Sequence, residues 1–145
     1  MSNFSVEIVS WVDKEAVLVA IRDKVFIEEQ SVPEELERDP QDQDYVHALA
    51  ISNQGEAMGT GRLLPGGKIG RMAVLGAWRG HGVGAALLEA LVEFARERGD
   101  REVMLDAQTT AEAFYQRHGF ISEGDIFMDA GIPHIRMRRS LKPQS

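Results

Sequence analysis

A chain of 145 residues with no cysteine and a net charge of −7 is long enough to bury about 68–70% of its unfolded surface as one domain over residues 1–145 without covalent staples. The missing thiols exclude disulfides, thiolate nucleophiles and cysteine zinc sites, and they suit a reducing compartment. Residues 28–44 hold eight acids against the single base Arg38, which accounts for the whole charge excess. A surface of that sign disfavours nucleic acid and anionic membranes as partners; it reads either as a solvated loop or as an entrance for a cationic substrate. No basic and then apolar leader opens the sequence, and its longest apolar run, residues 16–21, is far short of the roughly 20 residues a membrane span requires. A cytoplasmic location is expected.

In chain order, Phe4, Val6 and Ile8 alternate with polar neighbours, as in a strand. Asp13 suits the N-cap of a helix that carries Val17, Leu18, Ile21 and Val25 and ends near Phe26. The acidic segment with Pro33 and Pro40 reads as a loop with one helical turn near Glu34. Residues 47–51 and 57–64 read as strands joined at Asn53-Gln54-Gly55-Glu56, and Pro65-Gly66-Gly67 turns the chain into a third strand ending at Val74. These three form an antiparallel meander. Next comes a glycine-rich bend, Arg79-Gly80-His81-Gly82-Val83-Gly84, and a helix with Leu87, Leu88, Leu91, Val92 and Ala95 on one face and Gly99 at its C-terminal cap. Val103 to Leu105 make a short buried strand. Thr109 and Glu112 have the spacing of a capping box for a helix through Phe114 and Tyr115 that Gly119 closes. Phe120-Ile121 and residues 134–137 are final strands around a 124–131 connection. The expectation is an α/β fold, a mixed but mostly antiparallel sheet of about six or seven strands with helices on both faces and one central βαβ unit.

The strand–bend–helix stretch from Ile69 to Arg98 carries the chemistry. A helix start exposes unpaired backbone N–H groups at the positive end of its dipole, and such a place binds phosphate. Glycines at 80, 82 and 84 remove side chains that would hold a pyrophosphate off the backbone, and Arg79 adds a permanent cation. The run Gly80-x-Gly82-x-x-Ala85 also satisfies a dinucleotide fingerprint, with Asp106 at about the distance of a ribose-binding acid. Against that reading, Leu75 to Arg79 separate strand from glycine, and only one βαβ unit is legible. No Gly-Lys-Ser/Thr follows, so the bend is not a P-loop.

Arg79-x-x-Gly82-x-Gly84 after Met72-Ala73-Val74 resembles the acetyl-CoA-binding motif of the GNAT superfamily, the acyl-CoA-dependent N-acetyltransferases. Leu105-Asp106-Ala107-Gln108, Ala111, Phe114-Tyr115 and Gly119-Phe120 look like the family's next motif at the expected spacing. The head (Val25-Phe26-Ile27-Glu28-Glu29-Gln30) and the tail (Gly131-Ile132-Pro133-His134) are similar to those of small stand-alone bacterial members. The resemblance implies that acetyl-CoA is the cosubstrate and that backbone amides of Arg79, Gly80, His81, Gly82, Val83 and Gly84 cradle its pyrophosphate. It also implies that Met72, Ala73 and Val74 bond the pantetheine through their main chain, with an N–H near Val74 polarising the thioester carbonyl. Gln108 stands where many members have Asn, and its amide is a weaker candidate for the pantetheine arm.

Tyr115 is the candidate proton donor to the leaving thiolate, and the alternative for it is core packing beside Phe114. An amine must lose a proton before it attacks, so a base or a water chain leading to one is required. The head and tail segments, which flank the acceptor site in this family, offer Glu29 and His134. His47 and Asp129 are weaker candidates, and His118, in a last helical turn, is assigned a structural role. Four histidines without an H-x-x-x-H spacing give no ground for a metal. The chain is thus expected to move acetyl from acetyl-CoA to a primary amine of a small molecule or peptide in a ternary complex, as a monomer or homodimer. The alternatives are a catalytically silent CoA-binding sensor and a nicotinamide-nucleotide protein.

Overall fold

In the computed structural model, residues 3–141 are described. Seven strands and four α-helices follow in the order β1 (Phe4–Val9), α1 (Trp11–Arg22), α2 (Glu34–Glu37), β2 (Val46–Ser52), β3 (Ala57–Leu63), β4 (Ile69–Val74), α3 (Val83–Arg98), β5 (Glu102–Gln108), α4 (Glu112–Arg117), β6 (Ile121–Asp129) and β7 (Ile132–Ser140). The strands make two antiparallel sheets, ordered β1-β2-β3-β4 and β5-β7-β6. Between them, β4 and β5 run side by side in parallel but meet at a single bridge, Lys68 with Met104, where the Met104 N–H donates to the Gly67 carbonyl at 3.0 Å. Beyond that bridge the strands part. No described helix is long and apolar enough to cross a membrane.

Alternation along β2 explains the layers. Leu49 belongs to the cluster under α1, with Leu18, Ile21, Val25 and Ala73. Ala48 and Ala50 belong to the larger cluster under α3, with Leu87, Leu88, Leu91, Val92 and Ala95. Successive strand residues point to opposite faces, so the two helices cover the first sheet from opposite sides. Small residues set how closely α3 sits: a Cβ on Gly59 of β3 would meet Leu87 Cδ1 at 3.0 Å and the Ala73 carbonyl oxygen at 2.8 Å.

The structure corrects several sequence expectations. Ser10, not Asp13, caps α1, and its hydroxyl accepts from the Asp13 N–H at 3.2 Å. From Asp23 to Glu29 the chain continues as a π-helix, a geometry that the apolar spacing does not distinguish from α. The meander gains β1 on the outer edge of β2. Thr109 caps nothing; residues 109–111 form a 3-10 turn, and Glu112 accepts a hydrogen bond from the Ser122 hydroxyl at 2.5 Å instead. The 124–131 connection is mostly strand: β6 and β7 form a long hairpin whose turn sits on Ala130 (φ 51°) and Gly131 (φ 78°). β6 is exposed, with Ile121, Ile126 and Met128 more than 60% accessible, so no buried pattern announced the strand.

Candidate active site

The parting of β4 from β5 opens a cavity of about 280 Å³ lined by both strands and by parts of the head, α4 and the β6–β7 hairpin. Tyr115, His134 and Gln108 all line it, as does Met72. At the far end of β4 the chain passes through a 3-10 turn, Gly76–Trp78, into the glycine bend. Gly80 and Gly82 both hold φ 80°, a left-handed conformation costing a residue with Cβ roughly 1–2 kcal/mol. Gly82 is the N-cap of α3 and offers no side chain to satisfy its first amides, which leaves them available to a ligand. Around Gly84 the fit is different: an added Cβ would make only ordinary contacts, 3.7 Å to Phe114 and 3.8 Å to Val74. The bend places main-chain donors at the positive end of a 16-residue helix, a setting that suits a diphosphate.

Arg79 spans from this bend to the head. Its Nε donates to the Val74 carbonyl at 2.9 Å and its Nη2 to Glu29 at 2.5 Å. Glu29 is therefore held by a guanidinium rather than standing among the residues that line the cavity. His81 packs edge-on to Trp78, ring centroids 6.4 Å apart.

Tyr115 packs between Phe114 and Phe120, with centroids 5.1 and 5.9 Å away. Burial pushes its phenol up to about 12, so it keeps its proton throughout the neutral range. His134 is buried in β7, opposite Gln108 of β5, and stacks on Phe127. Its Nδ1 lies 2.7 Å from the Ile132 carbonyl. A carbonyl only accepts, so Nδ1 carries the proton and Nε2 of the neutral ring keeps its lone pair. Gln108 donates its side-chain amide to Gln30 at 3.0 Å, which ties β5 to the head. His47 is buried against Trp11, with Nε2 2.8 Å from the Asp42 carbonyl; burial lowers its pKa, and it lies outside the cavity. His118 pairs with Glu89 at 3.1 Å. Asp129 does line the cavity. Asp106 is bound by Arg136 and, at 3.5 Å, by Lys68, so the acid of the dinucleotide fingerprint is already paired.

Part of the acidic segment is taken up in buried ion pairs, while Glu34, Glu35 and Asp44 stay exposed. Glu37 accepts from Arg22 at 2.5 Å and from Arg38 at 2.7 Å. Asp42 pairs with Arg22 at 3.0 Å and with Arg62 at 2.7 Å, and Arg62 also binds Asp39 at 3.0 Å. Arg22, Glu37 and Asp42 are each at most 2% exposed. Burial alone would raise the Asp42 carboxyl, but the hydrogen bond and charge of Arg22, then those of Arg62, outweigh it and hold it below the usual carboxylate range. These pairs pin the 34–44 segment onto α1 and β3 and hold Arg62, which lines the cavity. Sequence reasoning missed Phe26, Gln30 and Arg71, which also line it. The first two lie in the head segment that the resemblance marked, but Arg71 had no signal beyond its place in an apolar strand.

A family model described as an acetyltransferase (GNAT) domain matches residues 9–141. Over 124 residues the chain is 38% identical to YjcF of Bacillus subtilis, named an uncharacterized N-acetyltransferase, a match that covers 82% of this chain and 87% of the relative. Among solved structures it is similar to ElaA of Escherichia coli (TM-score 0.83, 31% identity, 94% of this chain and 99% of that one). An acyl-CoA N-acyltransferase from Pseudomonas aeruginosa superposes with a TM-score of 0.81 at 31% identity, again over 94% and 99%. With its two splayed sheets, glycine bend and matched length, the chain belongs to the GNAT acetyltransferase family, whose members transfer acyl groups from acetyl-CoA.

Proposed function

We propose that this chain, acting as a single domain, transfers acetyl from acetyl-CoA directly to an amine that enters the gap between β4 and β5. The observation that carries the reading is the single Lys68–Met104 bridge: past it, β4 has no strand on that side among the described residues, and the opening is lined by Met72, Tyr115 and His134. Acetyl-CoA supplies an activated thioester. The chain's part is to hold its diphosphate on the amides of residues 79–84 and to offer the main chain of Met72, Ala73 and Val74 along its pantetheine. A backbone N–H near Val74 stabilises negative charge on the carbonyl oxygen as the amine attacks.

His134 is the base in this reading. Its Nε2 lone pair accepts the amine's proton, directly or through water, and the Ile132 carbonyl keeps the ring in that tautomer. Tyr115 is the acid. Protonated and buried, it gives a proton to the departing sulfur, whose own basicity rises in the same water-poor setting. Glu29 is left a linking role through Arg79.

Free thiol released from acetyl-CoA in the presence of an amine panel tests the assignment. Turnover that drops ~100-fold in Tyr115→Phe, with acetyl-CoA affinity unchanged, is the expected result. Acetyl-CoA binding without turnover on any amine would favour the silent sensor.

A further inference from the structure

Arg71 stands apart from every other arginine of the cluster around the 34–44 segment. Arg22, Arg38 and Arg62 each have a carboxylate oxygen within 3.0 Å. For Arg71 the nearest is Glu37 at 3.7 Å, and that carboxylate is already engaged by Arg22 and Arg38. Its Nη2 is held from behind by two neutral acceptors, the carbonyls of Leu36 at 3.2 Å and Glu37 at 3.4 Å. Its Nε is buried without a hydrogen bond, and Nη1 is given no partner among the described residues. The side chain lines both the main cavity and a smaller adjoining one of about 90 Å³.

Its backbone carries a second, independent mark. Between β3 and β4 the register slips: Thr60 faces Ala73 and Arg62 faces Gly70, so Arg71 and Met72 together stand opposite Gly61. In this bulge Arg71 adopts φ 49°, a conformation that favours glycine. A bulge re-aims the side chain that it carries, and strain of this kind collects where a side chain's position matters. A glycine would fit the bulge more comfortably, yet an arginine occupies it at the mouth of the gap.

We infer that Arg71 is a specificity-determining residue that receives a carboxylate of the acceptor, so that the preferred substrates are amines that also bear a carboxylate, as in an amino acid or a peptide's terminal residue. The inference rests on reading the gap as the acceptor site. Guanidinium is planar, permanently charged and less strongly hydrated than ammonium, which suits it to an oxyanion in a half-closed cavity. Burial, followed by the charges of Arg62 and Arg22, lowers its pKa against the opposing pull of Glu37 and Asp42, and an arriving anion would offset that cost. Phe26 and Leu105 supply apolar walls for the body of such a molecule.

The test is binding, measured by calorimetry with and without coenzyme A, on two pairs of probes: L-leucine against L-leucinamide, and alanyl-leucine against its C-terminal amide. The wild-type protein is expected to prefer the carboxylate member at least tenfold in one of the pairs, and which pair responds separates free amino acid from peptide end. Arg71→Gln should reduce that preference below twofold. So should Arg71→Gly, which relieves the bulge and guards against a mere folding defect, while Arg71→Lys retains part of it. Amides that bind as well as acids, a preference that survives both variants, or no binding by any probe would each overturn the assignment. Coenzyme A affinity is read in the same titrations: its absence in the wild-type protein counts against the transferase reading and leaves the acid-against-amide comparison to decide the role of Arg71.

Discussion

The two ends of the gap are built in opposite ways. In the proposed function the diphosphate is held at the glycine bend by main-chain donors within six consecutive residues, 79–84, two of them left-handed glycines. The acceptor wall of that reading rests on side chains from β3 and β4, Arg62 and Arg71 among them, with Arg62 held by carboxylates 20 and 23 residues away and Arg71 by a backbone carbonyl 35 residues away in sequence. The first kind of site is local and hard to vary. The second is assembled only by the tertiary fold, and under the proposed function its side chains can be exchanged without touching the first. A family that keeps its cosubstrate and changes its acceptor has use for that division.

Substitutions can break the contrast at either end. The largest expected effect is in the buried pairs: Glu37→Ala leaves Arg22 short of a partner in a site 2% exposed, which should cost about 3–5 kcal/mol of unfolding free energy, read by denaturant titration. The surface pair of Arg79 with Glu29, both partners more than a third exposed, should contribute no more than about 1 kcal/mol, so Glu29→Gln is expected to leave the midpoint nearly unchanged. At the bend, Gly82→Ala should destabilise by roughly 1–2 kcal/mol because of its positive φ. Gly84→Ala, which has room for its methyl, should leave the free protein's stability within about 0.5 kcal/mol while weakening acetyl-CoA binding, measured by calorimetry. Unchanged binding in that variant would remove Gly84 from the diphosphate site.

A separate effect, confined to alkaline conditions, is a pH signature. A Tyr115 pKa raised to about 12 in the fold, against 10.0 outside it, means that the folded chain holds a proton that the unfolded chain releases. Stability from this group is therefore complete below pH 10 and declines between pH 10 and about 12. Unfolding midpoints followed across that window should fall in the wild-type protein and fall less in Tyr115→Phe.

How much of this was legible follows the same division. The strand Ile69–Val74, the bend and the helix to Arg98 were readable because turn chemistry, capping and a 3.6-residue apolar period agree there. The capping box at Thr109 failed because Glu112 found Ser122 ten residues on. The hairpin strand β6 failed because an exposed strand without a buried face leaves no alternation to read. The acidic run misled for a related reason. Composition counts charges, but whether Glu37 and Asp42 face water or Arg22 depends on a fold that brings residues 15 and 20 positions apart together. Arg71 was invisible altogether, since a bulge is a property of two strands and not of one.

One consequence of the lone Lys68–Met104 bridge reaches beyond catalysis. Two sheets fastened at one corner of their shared seam lack part of the ladder that neighbouring strands normally give each other. A guest threaded along that seam would supply the absent rungs and act, while it stays, as a temporary strand of the scaffold. The lifetime of the fold would then track the guest's abundance, rising and falling with the supply of activated acyl groups around it.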